Sequence, residues 1–350
     1  MQSIGNELSM KPSAASELPL DVLDVIFRNL TSYDLAICCR VSKQVHTVAF
    51  EALYRDLRPN SRNILRLCLK LCDEPDLASR VRSFILRESV DMYLGSISEA
   101  LLRLPRLRTL VLRIGLMSSW ILPQENCPFS LHTLDCEFYF DDKLLSFLRS
   151  QKELKHLTSS MSPGLYSPAS IEPRLVPELH SIAAPMSVVE MIAPGRPVFH
   201  VFAYHLSGEP PSISSLSKST STNGVRQLRL NYTYLLEMGC EQLAQAVPKL
   251  VNLAIDANTV KPDDYEMVNE LTDWVEVYLS YAKNLSWLVL TFYPELSVMP
   301  CQELDFSEMV TRIFAASVNL THVVILFNGR KLRYICKQVP GQDWYIVNDY

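Results

Sequence analysis

Titratable and nucleophilic side chains are plentiful in this 350-residue sequence, yet few stand at spacings that would make a reactive site. Nine cysteines (Cys38, Cys39, Cys68, Cys72, Cys127, Cys136, Cys240, Cys301 and Cys336) include no paired CxxC knuckles of the kind that hold zinc. They read as small core residues or surface thiols. Acidic residues gather at Asp256, Asp263, Asp264, Glu266, Glu270, Asp273 and Glu276, a set that at first sight suits a hard cation. Their spacing spreads them around a long helix instead of converging them, so they read as its wet side. There is no Walker-type phosphate loop, no HExxH and no GxSxG, and ten glycines leave little material for cradling phosphate. The isolated imidazoles of His156 and His322 read as contact residues. The expectation is a non-catalytic chain with no cofactor and no metal.

Charge and hydropathy narrow the class further. A formal net charge of −5 gives no field that would favour nucleic acid or an acidic membrane surface. Residues 1–20 contain Glu7, Lys11 and Glu17 and no long apolar run, so they fit neither a secretory signal nor a spanning helix. The expected setting is intracellular, cytoplasmic and/or nuclear, without nucleic-acid or membrane partners. Residues 1–16 are polar and aperiodic and are expected to be a disordered tail.

Ordered patterning starts at Leu18-Pro19. Leu20, Leu23, Ile26, Phe27 and Leu30 then fall on one helical stripe, with Asp21 in the first turn. Thr31 with Asp34 resembles a capping signal and opens a second short helix through Leu35, Ile37 and Cys38. Val45, Val48, Ala49, Ala52 and Leu53 mark a third. Three helices in about 40 residues lie near the lower limit for a self-sufficient core, so a partner covering their apolar remainder would stabilise them.

The ordered set Leu18-Pro19, Leu23, Ile26-Phe27, Leu30, Asp34-Leu35, Val41-Ser42-Lys43 and Leu53-Tyr54 resembles the F-box, over residues 17–57. Val45 stands where many members carry Trp. The resemblance implies docking of a small Skp-type adaptor, and through it a cullin scaffold. It assigns that contact to Leu18, Pro19, Leu23, Ile26, Phe27, Leu30, Leu35, Val41 and Val45. Residues 58–76 read as a helical linker.

From 77 to 327 one pattern recurs every 20–35 residues, with apolar residues at i, i+3 and i+5. Ten copies start at Val81, Leu107, Leu131, Leu154, Leu179, Phe199, Val225, Leu250, Leu285 and Leu320. Chance alone would match about 11% of windows. Register is therefore drawn from Pro105, Pro177, Pro197 and Pro248, each two residues before a first anchor. Helical patterns lie between the copies, at Ile97–Leu104, Leu144–Leu148, Leu235–Val247, Val268–Ala282 and Phe306–Phe314. The region resembles a divergent leucine-rich-repeat array. The fold class expected is α/β: a short three-helix F-box followed by a solenoid with a curved parallel sheet and helices on its convex side.

Residues at i+2, i+4 and i+6 of each copy then line the concave face. Arg87, Arg113, Asp135, Glu137, His156, Arg229, Asp256, Trp287 and His322 are the expected contacts of a protein substrate. Trp287, with Val289, Val324 and Leu326, forms either an interface anchor or a patch packed beneath the carboxy-terminal tail. The sixth copy contributes Val201, Ala203 and His205. Ser207–Gly224, with seven serines and Pro210-Pro211, reads as a mobile loop. Residues 328–350 read as a capping hairpin turning at Pro340-Gly341. Two functions fit: a substrate receptor of an SCF-type ubiquitin ligase, and a non-catalytic repeat scaffold whose first helices are only a cap.

Overall fold

The computed structural model describes residues 18–88, 90–160, 174–204, 212–293, 305–327, 333–338 and 344–347. The 1–16 tail, Cys301, His205 and the Pro340-Gly341 turn lie outside the described residues.

Local capping chemistry delimits the first three helices. α1 (Leu20–Phe27) begins after Pro19, whose carbonyl accepts the Leu23 N–H at 3.1 Å. Thr31 Oγ1 accepts the Asp34 N–H at 3.2 Å to start α2 (Ser32–Cys38), and Ser42 Oγ accepts the Val45 N–H at 3.2 Å to start α3 (Lys43–Arg55). Each such cap contributes about 1 kcal/mol. The three helices close on their own small core of Phe27, Leu35 and Ala49, distinct from the large one that follows.

α3 passes directly into β1 (Asp56–Leu57), the first strand of a 13-stranded sheet whose strands lie side by side in sequence order. Between β1 and β2 (Ser83–Leu86) lie α4 (Ile64–Asp73) and α5 (Pro75–Ala78). Ile64, Cys68, Leu71, Leu77 and Ala78 are buried in the main core. Residues 58–76 are therefore the first strand-to-strand crossover of the sheet, where a linker was expected.

The remaining crossovers follow the same plan. α6 (Leu94–Leu101) leads to β3 (Thr109–Leu112), a 3-10 turn at Ser118–Ile121 to β4 (Thr133–Cys136), and α7 (Asp142–Ser150) to β5 (His156–Ser159). β6 (Ser181–Pro185), α8 (Met186–Ile192), β7 (His200–Tyr204) and a 3-10 turn at Ser214–Lys218 lead to β8 (Gln227–Asn231). After α9 (Tyr232–Met238) and α10 (Cys240–Ala246) comes β9 (Asn252–Ala257). α11 (Tyr265–Tyr281), β10 (Trp287–Phe292), α12 (Ser307–Ala316) and β11 (His322–Phe327) complete the parallel part. A parallel neighbour needs a crossover of about a dozen residues or more, which is why the apolar pattern cannot repeat faster than it does. α11, with Leu271, Val275 and Tyr278 buried, accounts for one of the two 35-residue spacings.

The i+3 and i+5 anchors, such as Phe84 and Leu86 or Leu110 and Leu112, share one core with Ile97, Leu148, Leu243 and Ile313 of the helices. Val111 and Val324, on the other side of the pleat, are buried outside that core. Helices thus cover one face and leave the other open. β12 (Arg333–Lys337) pairs antiparallel with β11 and with β13 (Tyr345–Val347) at the end of the sheet. Trp344 Nε1 donates to Thr311 Oγ1 of α12 at 3.0 Å.

Two local expectations are corrected. In the sixth copy Ser181 aligns with His200 and Ile182 with Val201, so the core anchors are Val198, Val201 and Ala203, all fully buried. The expected register is one residue late because Pro197 directly precedes its anchor here, and with a period of two such a slip exchanges the faces. His200, Phe202 and Tyr204 occupy the open face instead. The described part of the Ser-rich segment, 212–224, is packed: Ile213 and Leu216 are buried, and Ser219 Oγ donates to Val198 O at 2.7 Å. Its 3-10 turn fills the place that a helix takes in other crossovers.

Candidate functional site

Two surfaces stand out, the helical amino-terminal unit and the open face of the sheet. In the first, α1 is apolar nearly all round, and a helix so composed needs cover on more than one side. Phe27, only 5% exposed, and Leu35 supply the inward cover, with Leu23, Leu30 and Val45 packed beside them. Phe27 and Leu35 are thus interior residues that shape the unit, a correction to their expected place at a partner contact. Leu18, Pro19, Ile26 and Val41 are exposed, Ile26 at 43% and Val41 at 68%. Leu20 and Ile37 of the helical patterns are exposed too, as are Val22, Val25 and Tyr33, which helical periodicity gave no reason to select. A third of the exposed large hydrophobic residues described, 8 of 24, fall within residues 18–41, a concentration that free surface does not normally carry.

On the open face, most of the expected charges are already satisfied within the fold. Arg113 meets Asp135 at 3.1 Å, and Glu137 Oε1 accepts the Gly115 N–H at 3.2 Å. Arg229 binds Asp256 through Nε and Nη2 at 2.7–3.0 Å while its guanidinium lies 4.7 Å from the centre of the Phe202 ring. Trp287 and His322 stack with ring centres 3.8 Å apart, and burial followed by the Lys337 charge holds the His322 imidazole below its usual pKa. Trp287 stays partly exposed, whereas Val324 is buried at a position paired with Ile335 of β12, which removes it from the expected apolar patch. Only Arg87, His156 and the stacked Trp287 among the nine expected contacts make no side-chain hydrogen bond or ion pair with a described residue. Phe202 and Tyr204 join the open face because of the corrected register, Tyr204 donating its hydroxyl to the Ser159 carbonyl.

The acidic stretch resolves into structural roles. Asp264 caps α11 by accepting the Glu266 and Met267 N–H groups, and Asp273 and Glu276 both hold Arg312 of α12. Among the described residues, no three His, Cys, Asp or Glu side chains gather as a metal would require, and no helix is long and apolar enough to cross a membrane.

A family model described as F-box-like matches residues 15–60, a span that takes in the helical unit and the first strand of the sheet. No curated protein matches the chain. The chain therefore carries an F-box-like domain, which supports its reading as an F-box protein; domains of this kind are typically non-catalytic adaptors.

Proposed function

We propose that the chain is the substrate-recognition subunit of an SCF-type ubiquitin ligase. The F-box-like helices dock a Skp-type adaptor and through it a cullin scaffold, while the strand-and-helix array, read as a divergent leucine-rich-repeat solenoid, holds a protein substrate. The observation that carries this reading is the coincidence of the F-box-like match with a run of exposed apolar side chains in the same helices. The chain forms no bond itself; it raises the local concentration of substrate near a conjugating enzyme.

Co-purification with the adaptor tests the reading. Wild type is expected to retain it, and Leu18→Ala with Pro19→Ala, or Ile26→Asp, is expected to lose it while the array keeps its thermal transition. Equal recovery by wild type and variants refutes adaptor docking. The scaffold reading draws on a separate observation, the packing of Phe50 and Tyr54 of α3 against the main core, as a cap would pack. Under that reading wild type recovers no adaptor.

A further inference from the structure

One position recurs in every crossover of the parallel sheet, the residue immediately before each strand. Its N–H donates to the carbonyl of the equivalent residue one strand earlier. Arg82 donates to Arg55, Arg108 to Arg82, His132 to Arg108 and Lys155 to His132, all at 2.8–2.9 Å. The row continues from Lys155 to His180, Phe199 and Arg226 at 2.9–3.0 Å. Seven of these eight rungs carry Arg, Lys or His, although such residues make up about one in nine of the chain, so about one would be expected. Beyond Arg226 the row is Val251, Ser286 and Thr321, so the basic run is confined to the half of the sheet nearest the helical unit.

With strands about 4.8 Å apart, the run extends about 34 Å along the strand-entry rim. Every side chain in it is at least partly exposed. Compensation is uneven. Glu153 holds Arg108 at 2.6 Å and His132 at 3.4 Å, and Asp24 stands 3.7 Å from Arg55. Arg82, Lys155 and Arg226 have no ion pair with a described carboxylate. The far end opens into a cavity of about 420 Å³ lined by His180, Phe199, Arg226 and the hydroxyl-bearing Thr220, Ser221 and Thr222.

We propose that this rim is the docking site for an extended, Asp- and Glu-rich segment of a protein partner, its carboxylates meeting Arg82, Lys155 and Arg226. The argument is charge complementarity on a chain whose net charge is −5, where an unbalanced basic row is a local exception. An extended segment rising about 3.3 Å per residue spans the rim with about ten residues. A nucleic acid fits it less well. Phe199 is the one aromatic rung on which a base could stack, where single strands are held by a succession of such rings. The proposal rests on the reading that the array holds a protein partner and is independent of adaptor docking.

Fluorescence anisotropy of the full chain, without adaptor, with a labelled peptide of about twelve alternating Glu and Ser residues tests it. Binding is expected at about 50 mM salt, with marked weakening at about 300 mM. Arg82→Glu with Lys155→Glu and Arg226→Glu is expected to weaken it about tenfold or more, with an unchanged thermal transition. The single exchanges R82Q, K155Q and R226Q, each weakening the complex by a smaller factor, decide the matter if the triple variant fails to fold. Absence of binding by wild type, unchanged binding by the variants, or tighter binding of a single-stranded oligonucleotide of equal length overturns the proposal. Adaptor co-purification is read separately, so failure here leaves that result standing.

Discussion

Arg229 and Asp256 form a two-nitrogen clamp between neighbouring strands, with the carboxylate buried and the guanidinium spread over Phe202. The clamp ties two expected substrate contacts to each other as supports for β8 and β9, with Asp256 buried and Arg229 still partly exposed. Arg229→Met would leave the Asp256 carboxylate buried without its cation. The guanidinium is partly open to water, so the loss is expected to be about 2 kcal/mol, below that for a fully buried pair. Adding Asp256→Leu should restore most of the stability, because an apolar pair needs no desolvation to be compensated. Urea unfolding of the two variants against wild type checks this; additive losses would show that the clamp is not a unit.

The division of α1 into inward and outward residues gives a second prediction. Phe27→Ala empties the centre of a very small core and should destabilise the helical unit by about 3 kcal/mol. Ile26→Asp alters an exposed position and should leave stability nearly unchanged. Hydrogen exchange separates them. Amides of residues 20–55 should exchange faster in Phe27→Ala while those of β3–β10 stay protected, and Ile26→Asp should match wild type throughout.

Alkaline pH is expected to destabilise the fold through its buried acids. Burial pushes the thiols of Cys68 and Cys136 up to about 12 from an ordinary 9.0, and those of Cys240 and Cys336 up to about 11. Between about pH 9 and 12 the unfolded chain therefore releases protons that the folded chain retains. Stability is complete below pH 9 and declines as pH rises through that window. The urea midpoint should fall between pH 8 and 10.5. In parallel, native-state alkylation at pH 8 should spare Cys68 and Cys136, and labelling of either without unfolding would contradict their burial.

Nine of the ten repeat positions were legible because apolar spacing and strand pairing obey the same period of two. Trp287 with Asn252, and Asn252 with Gln227, align as the anchors require. The sixth failed because Pro197 lies one residue nearer its strand than the other register prolines. β1 escaped notice because two residues, Asp56 and Leu57, carry no period at all. Composition misled at 212–224, where serines hydrogen-bond to the backbone and so can be packed as firmly as apolar residues. Pairing was the least visible property. Arg229 and Asp256 stand 27 positions apart, and only the strand register brings them together. The basic rim stands in the sequence at the position after each first anchor, outside the apolar i, i+3 and i+5 pattern that marks the strands.

Arg55 ends α3 and the next residue begins β1, so the helical unit joins the sheet through a single peptide bond. Arg82 donates to the carbonyl of that same Arg55. A hinge needs a few residues free to change φ and ψ, and this junction supplies none. Torque applied to the helices passes straight into the hydrogen-bonded ladder. The two parts respond as one lever, and whatever is gripped at one end is held at a set distance from the other.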